Sequence, residues 1–166
     1  EGFIKVTSLI QAAVKIPIIA VGRIDPDRAD DYISQGKFNF LAMGRKLLAD
    51  PDLPKKLMKN EPKTIKPCHY SYECVSRIFL NGQMVCASDV GLGKKEKEHS
   101  IKNLAIIGAG PAGLELAVQA ANRKIHVSLY EKQSFIGGNL IGAAIIYEPY
   151  EKLLNYYQES IKNDFI

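Results

Sequence analysis

The 166-residue sequence contains no tryptophan, few cysteines and no apolar run approaching the ~20 residues that a membrane-spanning helix requires. Its N-terminus also lacks the basic start and apolar core of a signal peptide. The lack of a membrane span and of a signal peptide predicts a cytoplasmic protein without a membrane partner. The three cysteines all fall between positions 68 and 86, and an odd number in one short stretch favours a metal or cluster site over a disulfide framework.

The charge distribution does not predict a nucleic-acid partner. The 22 basic and 18 acidic residues are spread along the chain and give a formal net charge of +4. The one dense run, at residues 94–99, alternates in sign and contains no aromatic residue, which is typical of a solvated linker. The hydrophobic content of 46% is enough to build a globular core.

Two strand-to-helix units follow one another near the start of the chain. An apolar, β-branched run at residues 16–21 ends in Gly22–Arg23, and residues 25–36 have the start and stop signals of a helix. A second apolar run at residues 38–43 ends in Gly44–Arg45 and leads into another helical stretch. The pattern predicts a duplicated βα unit.

Each of these two strands therefore ends in a Gly–Arg pair. Backbone N–H groups and guanidinium charges on consecutive βα loops can bind one phosphate, as they do after the last two strands of many (β/α)8 barrels. The alternative is a pair of ordinary loops with solvated arginines. Spacing alone leaves both interpretations open.

Regular periodicity is lost between residues 60 and 100 and then returns. The middle stretch is punctuated by proline and glycine and contains the cysteines, which predicts an irregular segment organised by something other than a core, and a bound cofactor could supply that organisation. Beyond it we predict a strand at residues 104–107, a helix from about Pro111 to Asn122, and a strand at residues 126–130. This is a βαβ pattern.

The turn inside that pattern, GAGPAG at residues 108–113, matches the dinucleotide-binding fingerprint G-x-G-x-x-G. Gly108 permits a tight turn, Gly110 lets the backbone approach a pyrophosphate, and Gly113 allows close packing of helix on strand. Glu131 ends the next strand, where an acid that binds ribose hydroxyls is expected. We predict a dinucleotide or ADP-like ligand; a glycine turn needed only for packing is the alternative.

A glycine pair, Gly137–Gly138, follows the second strand of the βαβ pattern. It suits a flavin-type domain in which the backbone passes near the phosphates again, although a plain surface turn is the other interpretation. The residues do not separate FAD from NAD, because Glu131 would contact only the ribose hydroxyls that both ligands share.

Four stretches resemble the 2,4-dienoyl-CoA reductase and enoate reductase family: IIAVGRI at residues 18–24, AMGRKLLADP at residues 42–51, Pro67–Cys68, and IGAGPAG at residues 107–113. The resemblance covers nearly the whole chain. That family joins an FMN-binding (β/α)8 barrel to a four-cysteine [4Fe–4S] segment and then to an FAD-binding domain with an NAD(P)H-binding insert.

The resemblance implies an α/β fold in three parts. Residues 1–59 would be the end of the FMN barrel, residues 60–100 the cysteine segment and linker, and residues 101–166 the start of a Rossmann-like domain. We therefore expect a piece of a longer polypeptide, whose remaining domains are its partners.

The same resemblance assigns site residues. The residues implied for the FMN phosphate are Gly22, Arg23, Gly44 and Arg45, and those implied for the ADP half of FAD are Gly108, Gly110, Gly113 and Glu131. The proton-donating residues of the family lie upstream of Glu1, so no catalytic residue is assigned. We expect this chain alone not to turn over an enoyl substrate.

The resemblance also implies that Cys68, Cys74 and Cys86 are metal ligands, but Ser71 stands where the family has a further cysteine. Thiolates bind iron better than a serine alkoxide, which is harder and much less readily formed. Three outcomes stay open: a four-iron cluster with Ser71 or an outside ligand, a three-iron cluster, or none. His69 could substitute as a ligand, although a lone histidine is more often structural.

A second departure from the family follows the last cysteine, where Ser88–Asp89–Val90 replaces the usual Asn–Pro pair. Our hypothesis is that Ser71 lowers cluster occupancy. Ser71→Cys should then raise the iron content per chain after anaerobic reconstitution.

The implied activity is reduction of an activated alkene such as an enoyl-CoA or an enoate. Hydride would pass from NAD(P)H to FAD, single electrons through the cluster to FMN, and hydride from FMN to the substrate. Two alternatives stay open. One is a non-catalytic, truncated remnant with at most a nucleotide-binding turn, and the other is a fragment of an amine dehydrogenase similar to trimethylamine dehydrogenase.

Overall fold

The computed structural model describes residues 3–92 and 100–166. The chain forms two compact units, Glu1–Leu47 and Leu48–Ile166, which are described separately. The charged run at residues 94–99 lies outside the described residues, so its assignment as a linker stays a prediction.

The first unit contains a parallel pair of short strands with helices around it. Its elements are α1 (Ile4–Ala13), β1 (Ile19–Val21), a 3-10 turn (Pro26–Arg28), α2 (Ala29–Ser34) and β2 (Phe40–Ala42), and α3 (Arg45–Ala49) begins at its end. Val21 lies opposite Ala42 in the parallel register. A small core buries Ile4, Ala20, Ile24, Tyr32 and Phe38.

Local sequence signals explain the helical part of this unit. Pro26 opens the 3-10 turn, because its fixed φ and missing N–H suit the first position of a helix. Gly36 adopts a φ of 68° just after α2 and donates its N–H to the carbonyl of Ile33, so it ends the helix as expected.

The predicted βα duplication is present, with shorter elements than the sequence indicated. The strands expected at residues 16–21 and 38–43 have only three residues each. The helix expected at residues 25–36 is divided into the 3-10 turn and α2. Because the strands are so short, few of the apolar side chains in these runs reach a ladder position.

The second unit contains α4 (Leu53–Met58), a 3-10 turn (Pro62–Thr64), α5 (Glu73–Phe79), β3 (Asn103–Ile107), α6 (Pro111–Asn122), β4 (His126–Tyr130), α7 (Asn139–Ile146) and α8 (Glu148–Ser160). Strands β3 and β4 are parallel, from Asn103 opposite His126 to Ile107 opposite Tyr130. The chain between them forms α6, so this is a βαβ unit.

Helix α6 is buried on two sides. Leu114 and Val118 belong to one apolar cluster, which also contains Leu153 and Tyr157 of α8. A second cluster contains the α6 residues Ala117 and Ala120 together with the strand residues Ile106 and Val127. The small side chains on the strand side let the helix lie close to the two strands.

One expectation is corrected here and another is confirmed. The segment at residues 60–100, predicted to be irregular, contains helix α5 and a 3-10 turn. The α/β class is confirmed by the two parallel strand pairs with their connecting helices. Among the residues that the structure describes, no helix has the length and hydropathy needed to cross a membrane.

Candidate functional site

The two predicted Gly–Arg turns lie at the same edge of the first strand pair. Gly22–Arg23 follow β1 directly, and Gly44–Arg45 follow β2 after one residue. Because the strands are parallel, with Val21 opposite Ala42, both turns leave the sheet at its carboxyl edge. Gly22 has a φ of 140°, a conformation that residues with a side chain rarely adopt.

An ion pair joins the segments that carry these turns. The Lys46 Nζ lies 2.8 Å from the Asp25 Oδ1, and the side chains are only 16% and 29% exposed. Asp25 comes two residues after Arg23, and Lys46 directly follows Arg45. Sequence analysis missed this pair, although opposite charges just after the two Gly–Arg motifs could have indicated it.

The glycine-rich turn between β3 and α6 has the geometry that each of its glycines requires. Gly108 has a φ of 99° and donates its N–H to the Tyr130 carbonyl at 2.7 Å. A Cβ atom on Gly113 would lie 1.9 Å from the carbonyl oxygen of Gly108, so no larger residue fits. A Cβ on Gly110 would meet nothing within 4 Å, which leaves the backbone open to an approaching ligand.

Glu131 closes this turn from the end of β4. Its Oε2 accepts a hydrogen bond from the Ala109 N–H at 2.8 Å, and its Oε1 accepts one from the Gln133 N–H at 2.9 Å. The hydrogen bonds from the backbone of Gln133 and of Ala109 lower the pKa of the Glu131 carboxyl. The acid is therefore a fixed, ionised acceptor beside the glycine turn.

The glycine pair after β4 packs against the same turn. Gly137 donates its N–H to the Ala109 carbonyl at 2.7 Å, and a Cβ on Gly138 would lie 3.3 Å from the Cα of Gly110. Helix α7 begins immediately afterwards. The N-termini of α6 and α7 therefore start from neighbouring backbone segments, and N–H groups at helix starts are suited to anions.

The three predicted metal ligands are not assembled into a metal site. Cys68, Cys74 and Cys86 are all half-buried. Within residues 3–92 and 100–166, no group of three or more His, Cys, Asp or Glu side chains is arranged to hold a metal ion. A [4Fe–4S] cluster takes four thiolates, so three thiols and Ser71 do not fit it.

His69, the other candidate ligand, is occupied by a hydrogen bond within the protein. Its Nδ1 lies 2.9 Å from the Oγ of Ser88, which donates its own proton to the Pro67 carbonyl at 2.9 Å. Since the serine proton is used there, Nδ1 must be the donor to Oγ. Burial lowers the pKa of His69, which favours the neutral ring.

A buried polar network ties the start of the cysteine segment to helices α6 and α8. The Lys66 Nζ lies 2.6 Å from the Glu115 Oε1 on α6, and the Tyr157 hydroxyl donates to the other oxygen of Glu115 at 3.0 Å. Desolvation by burial, followed by the nearby charge of Glu115, raises the pKa of Tyr157, so its hydroxyl remains protonated and able to donate. No local sequence signal indicated this network.

Comparison with known proteins identifies the family. Residues 3–64 match the sequence profile of the NADH:flavin oxidoreductase / NADH oxidase family, and residues 106–158 match that of an NAD(P)-binding Rossmann-like domain. Cinnamate reductase from Clostridium sporogenes is 32% identical over 98% of this chain and 26% of its own length. Residues 3–64 thus belong to the NADH:flavin oxidoreductase / NADH oxidase family, and the chain as a whole is similar to its enoate reductase-like members.

Solved structures of flavin oxidoreductases have the same fold. A complex of 2-naphthoyl-CoA reductase with 2-naphthoyl-CoA has a TM-score of 0.87 and 26% identity, covering 96% of this chain and 26% of its own. Amine dehydrogenases also match, among them histamine dehydrogenase from Rhizobium sp., with a TM-score of 0.85 and 22% identity over 96% of this chain and 25% of its own. That second likeness shows the fold alone.

The chain spans about a quarter of the length of these relatives, from 25% to 26%. The predicted resemblance and the predicted oxidoreductase class are confirmed. The two profile matches of this chain are to a flavin oxidoreductase family and to a Rossmann-like nucleotide-binding domain.

Proposed function

We propose that this chain is the part of an NAD(P)H-dependent flavin oxidoreductase that binds the FMN phosphate in one unit and the ADP half of FAD in the other. The observation that carries the proposal is the glycine turn at residues 108–113, closed by the hydrogen bond between Glu131 and Ala109. The carboxylate holds the turn and still has acceptor capacity for ribose hydroxyls, which a turn needed only for packing would not require.

In the second unit, the FAD pyrophosphate would bind at Gly108 and Gly110, against the N-terminus of α6. The open space around Gly110 supports this position. Each oxygen of Glu131 accepts one backbone hydrogen bond and can accept another, so the carboxylate can bind the ribose hydroxyls without leaving the turn. A 2′-phosphate would be repelled by the same charge, which favours FAD or NADH over NADPH at this site.

In the first unit, the FMN phosphate would bind between the Gly22–Arg23 and Gly44–Arg45 turns. Their common position at the carboxyl edge of β1 and β2 supports this assignment. The Lys46–Asp25 pair would hold the two loops at a fixed separation. The guanidinium groups of Arg23 and Arg45 would supply positive charge to the phosphate.

This assignment rests on a layout with the end of an FMN barrel, a cysteine segment and the start of a Rossmann-like domain. The borders predicted at residues 59 and 100 stay predictions. That the rest of a longer polypeptide is the partner of this chain, and that its location is cytoplasmic, are also predictions.

The substrate we propose is a small molecule with an activated C=C bond. The names of two relatives, a cinnamate reductase and a 2-naphthoyl-CoA reductase, support that class. When bound, the flavins supply hydride transfer. No electron-transfer step is assigned to an iron–sulfur cluster, because the thiols of this chain do not form a metal-binding group within the described residues.

The amine dehydrogenase alternative has partial support, since dimethylamine dehydrogenase from Hyphomicrobium sp. is 29% identical over 78% of this chain and 19% of its own length. The remnant alternative is addressed by turnover, because a remnant that keeps at most a nucleotide-binding turn would reduce no substrate. Assays of the longest natural protein containing this chain, with cinnamate plus NADH and with amines plus an electron acceptor, separate the two enzyme classes.

The direct test is a titration of the chain with ADP and with FAD, comparing the natural sequence with Gly110→Ala. This substitution has room in the fold but places a methyl group where the pyrophosphate would approach. We expect a loss of affinity of at least about tenfold, the effect of one lost charged hydrogen bond. Gly142→Ala, also in open space but within α7, is the matched control and should leave affinity unchanged.

Equal affinity of the natural chain and Gly110→Ala would contradict the proposed site. Absence of any ADP binding by the natural chain would favour the packing-only interpretation of the turn.

A further inference from the structure

We propose that the cysteine segment of this chain, residues 66–92, is a connector that folds without an iron–sulfur cluster. Two buried polar anchors would hold it in place: Lys66 at its start, and the hydrogen bond between His69 and Ser88 across its middle. The inference concerns residues outside the flavin sites and does not depend on the proposed function.

The first observation is the arrangement of the thiols. Cys74 is the second residue of helix α5, while Cys68 and Cys86 lie outside helices and strands. Among the described residues they form no group capable of holding a metal ion. The position of the missing thiol is taken by Ser71, whose neighbours Tyr70 and Tyr72 have φ values of 56° and 63°.

These two tyrosines are unusual, because bulky residues rarely adopt left-handed backbone conformations. Such conformations persist only where the surrounding structure determines them. In this segment, we attribute the path of the chain between Cys68 and Cys74 to contacts within the protein.

The first anchor fixes the start of the segment at two points. The backbone N–H of Lys66 donates to the Asp50 Oδ2 at 2.8 Å, and its Nζ lies 2.6 Å from the Glu115 Oε1. The side chains of Lys66 and Glu115 are only 8% and 12% exposed. Asp50 also pairs with the Lys56 Nζ at 2.6 Å, so each of these charges is matched.

The second anchor joins the two ends of the cysteine-bearing stretch. His69 directly follows Cys68, and Ser88 comes two residues after Cys86. The Ser88 hydroxyl lies 2.9 Å from the His69 Nδ1 and 2.9 Å from the Pro67 carbonyl, and both side chains are buried. The His69 ring also lies against the Tyr150 ring, with centroids 5.4 Å apart.

The second anchor therefore makes the connection that a cluster would otherwise make. A structural metal contributes its binding free energy to folding, and removing it unfolds the segment that it organises. In this chain the connection between residues 67–69 and residue 88 is a protein hydrogen bond. The segment should then keep its fold in the absence of iron.

The first experiment measures iron and stability on the full chain. The chain is stripped with a chelator, reconstituted anaerobically with ferrous iron and sulfide, and compared with its stripped form by iron analysis, absorbance near 400 nm and thermal unfolding. A four-cysteine ferredoxin treated in parallel shows that reconstitution works. We expect far less than one iron per chain and the same Tm in both forms.

Iron near three or four atoms per chain, with the absorbance band of a cluster, would overturn the proposal. So would a Tm that rises on reconstitution.

The second experiment uses hydrogen exchange to compare three variants. Ser88→Ala removes the second anchor and should speed exchange across residues 67–92 and lower the Tm by roughly 3–10 °C, as for loss of a buried hydrogen bond. Ser76→Ala, an exposed serine in α5, is the control for a lost hydroxyl and should change neither quantity. Cys86→Ala should also leave the exchange of the segment unchanged.

Faster exchange in Cys86→Ala than in Ser88→Ala would mean that the thiol organises the segment, and the proposal would be wrong. Unchanged exchange in Ser88→Ala would equally contradict it.

Discussion

The Glu131 carboxylate lies 2.8 Å from the Ala109 N–H, so the acid that ends β4 holds the turn that follows β3. Those two residues are 22 positions apart and meet because the strands are parallel neighbours. The carboxylate is thereby fixed beside the turn before any ligand arrives. Preorganisation of this kind reduces the ordering cost of binding.

Glu131→Gln should weaken binding of ADP and FAD by about tenfold, because a neutral amide replaces an ionised acceptor of the ribose hydroxyls. Isothermal titration at pH 7 measures the change. Lys132→Gln alters a neighbouring charge without removing the acceptor and serves as the control. Equal affinities for the natural chain and Glu131→Gln would mean that the acid does not bind the ribose.

The pH dependence of nucleotide binding follows from the same contacts. The Gln133 and Ala109 N–H groups lower the pKa of Glu131 below its ordinary value of 4.5. The folded protein therefore favours the ionised carboxylate. The contribution of ionised Glu131 to stability is complete above the pKa that its carboxyl has in the unfolded chain. It is lost as the pH falls through the lower pKa of the folded protein. FAD affinity should therefore be flat from about pH 5.5 to pH 8, because the FAD pyrophosphate has no group that titrates in this range. A decline beginning near pH 6.5 would indicate a different group.

Gly113→Ala should destabilise the second unit by about 3 kcal/mol or more, because its Cβ would lie 1.9 Å from the Gly108 carbonyl oxygen. Urea unfolding measures the free energy difference. Gly142→Ala is the matched control, since its Cβ meets nothing and alanine is the better helix former, and it should be neutral or stabilising by up to ~1 kcal/mol. Similar stabilities for the two variants would show that the turn can open without cost.

Asp25→Asn and Lys46→Met test the ion pair between the loops of the first unit. The pair is partly exposed, so a double-mutant cycle on stability should give a coupling of about 0.5–1 kcal/mol. Each single variant should also weaken FMN binding, measured by quenching of flavin fluorescence, because the two Gly–Arg loops lose their fixed separation. Lys15→Met, at an exposed position of the same unit, is the control for a lost surface charge.

Ser71→Cys is expected to raise the iron content per chain above that of the natural sequence after anaerobic reconstitution, since it restores a fourth thiol. Ser76→Cys adds a thiol elsewhere in the segment and controls for non-specific iron binding. No rise in Ser71→Cys would mean that the backbone between Cys68 and Cys74, with its two left-handed tyrosines, no longer permits a cluster.

The βαβ part of the fold was predictable almost to the residue. The helix bounds Pro111–Asn122 and the strand His126–Tyr130 agree with expectation, because a glycine turn, a proline at the first helical position and buried periodic positions all indicate the same structure. The short strands β1 and β2 were overestimated, since apolar runs do not reveal where a ladder ends.

Helix α5 was missed because the cysteines suggested a segment organised by metal rather than by backbone hydrogen bonds. The Lys66–Glu115 pair joins residues 49 positions apart, and no local pattern indicates such a contact. The Lys46–Asp25 pair, in contrast, lies next to recognisable motifs, and comparison of the two βα units could have found it.

The most direct test of the central claim is the flavin content of the natural protein that carries this chain. The protein is purified without added cofactor and denatured with acid, and the released flavins are separated and quantified. The account predicts FMN and FAD in nearly equal amounts. FMN would come from the site between the two Gly–Arg turns, and FAD from the turn at residues 108–113. A protein that releases neither flavin, or that releases FMN alone, would contradict the assignment of the turn at residues 108–113 to FAD.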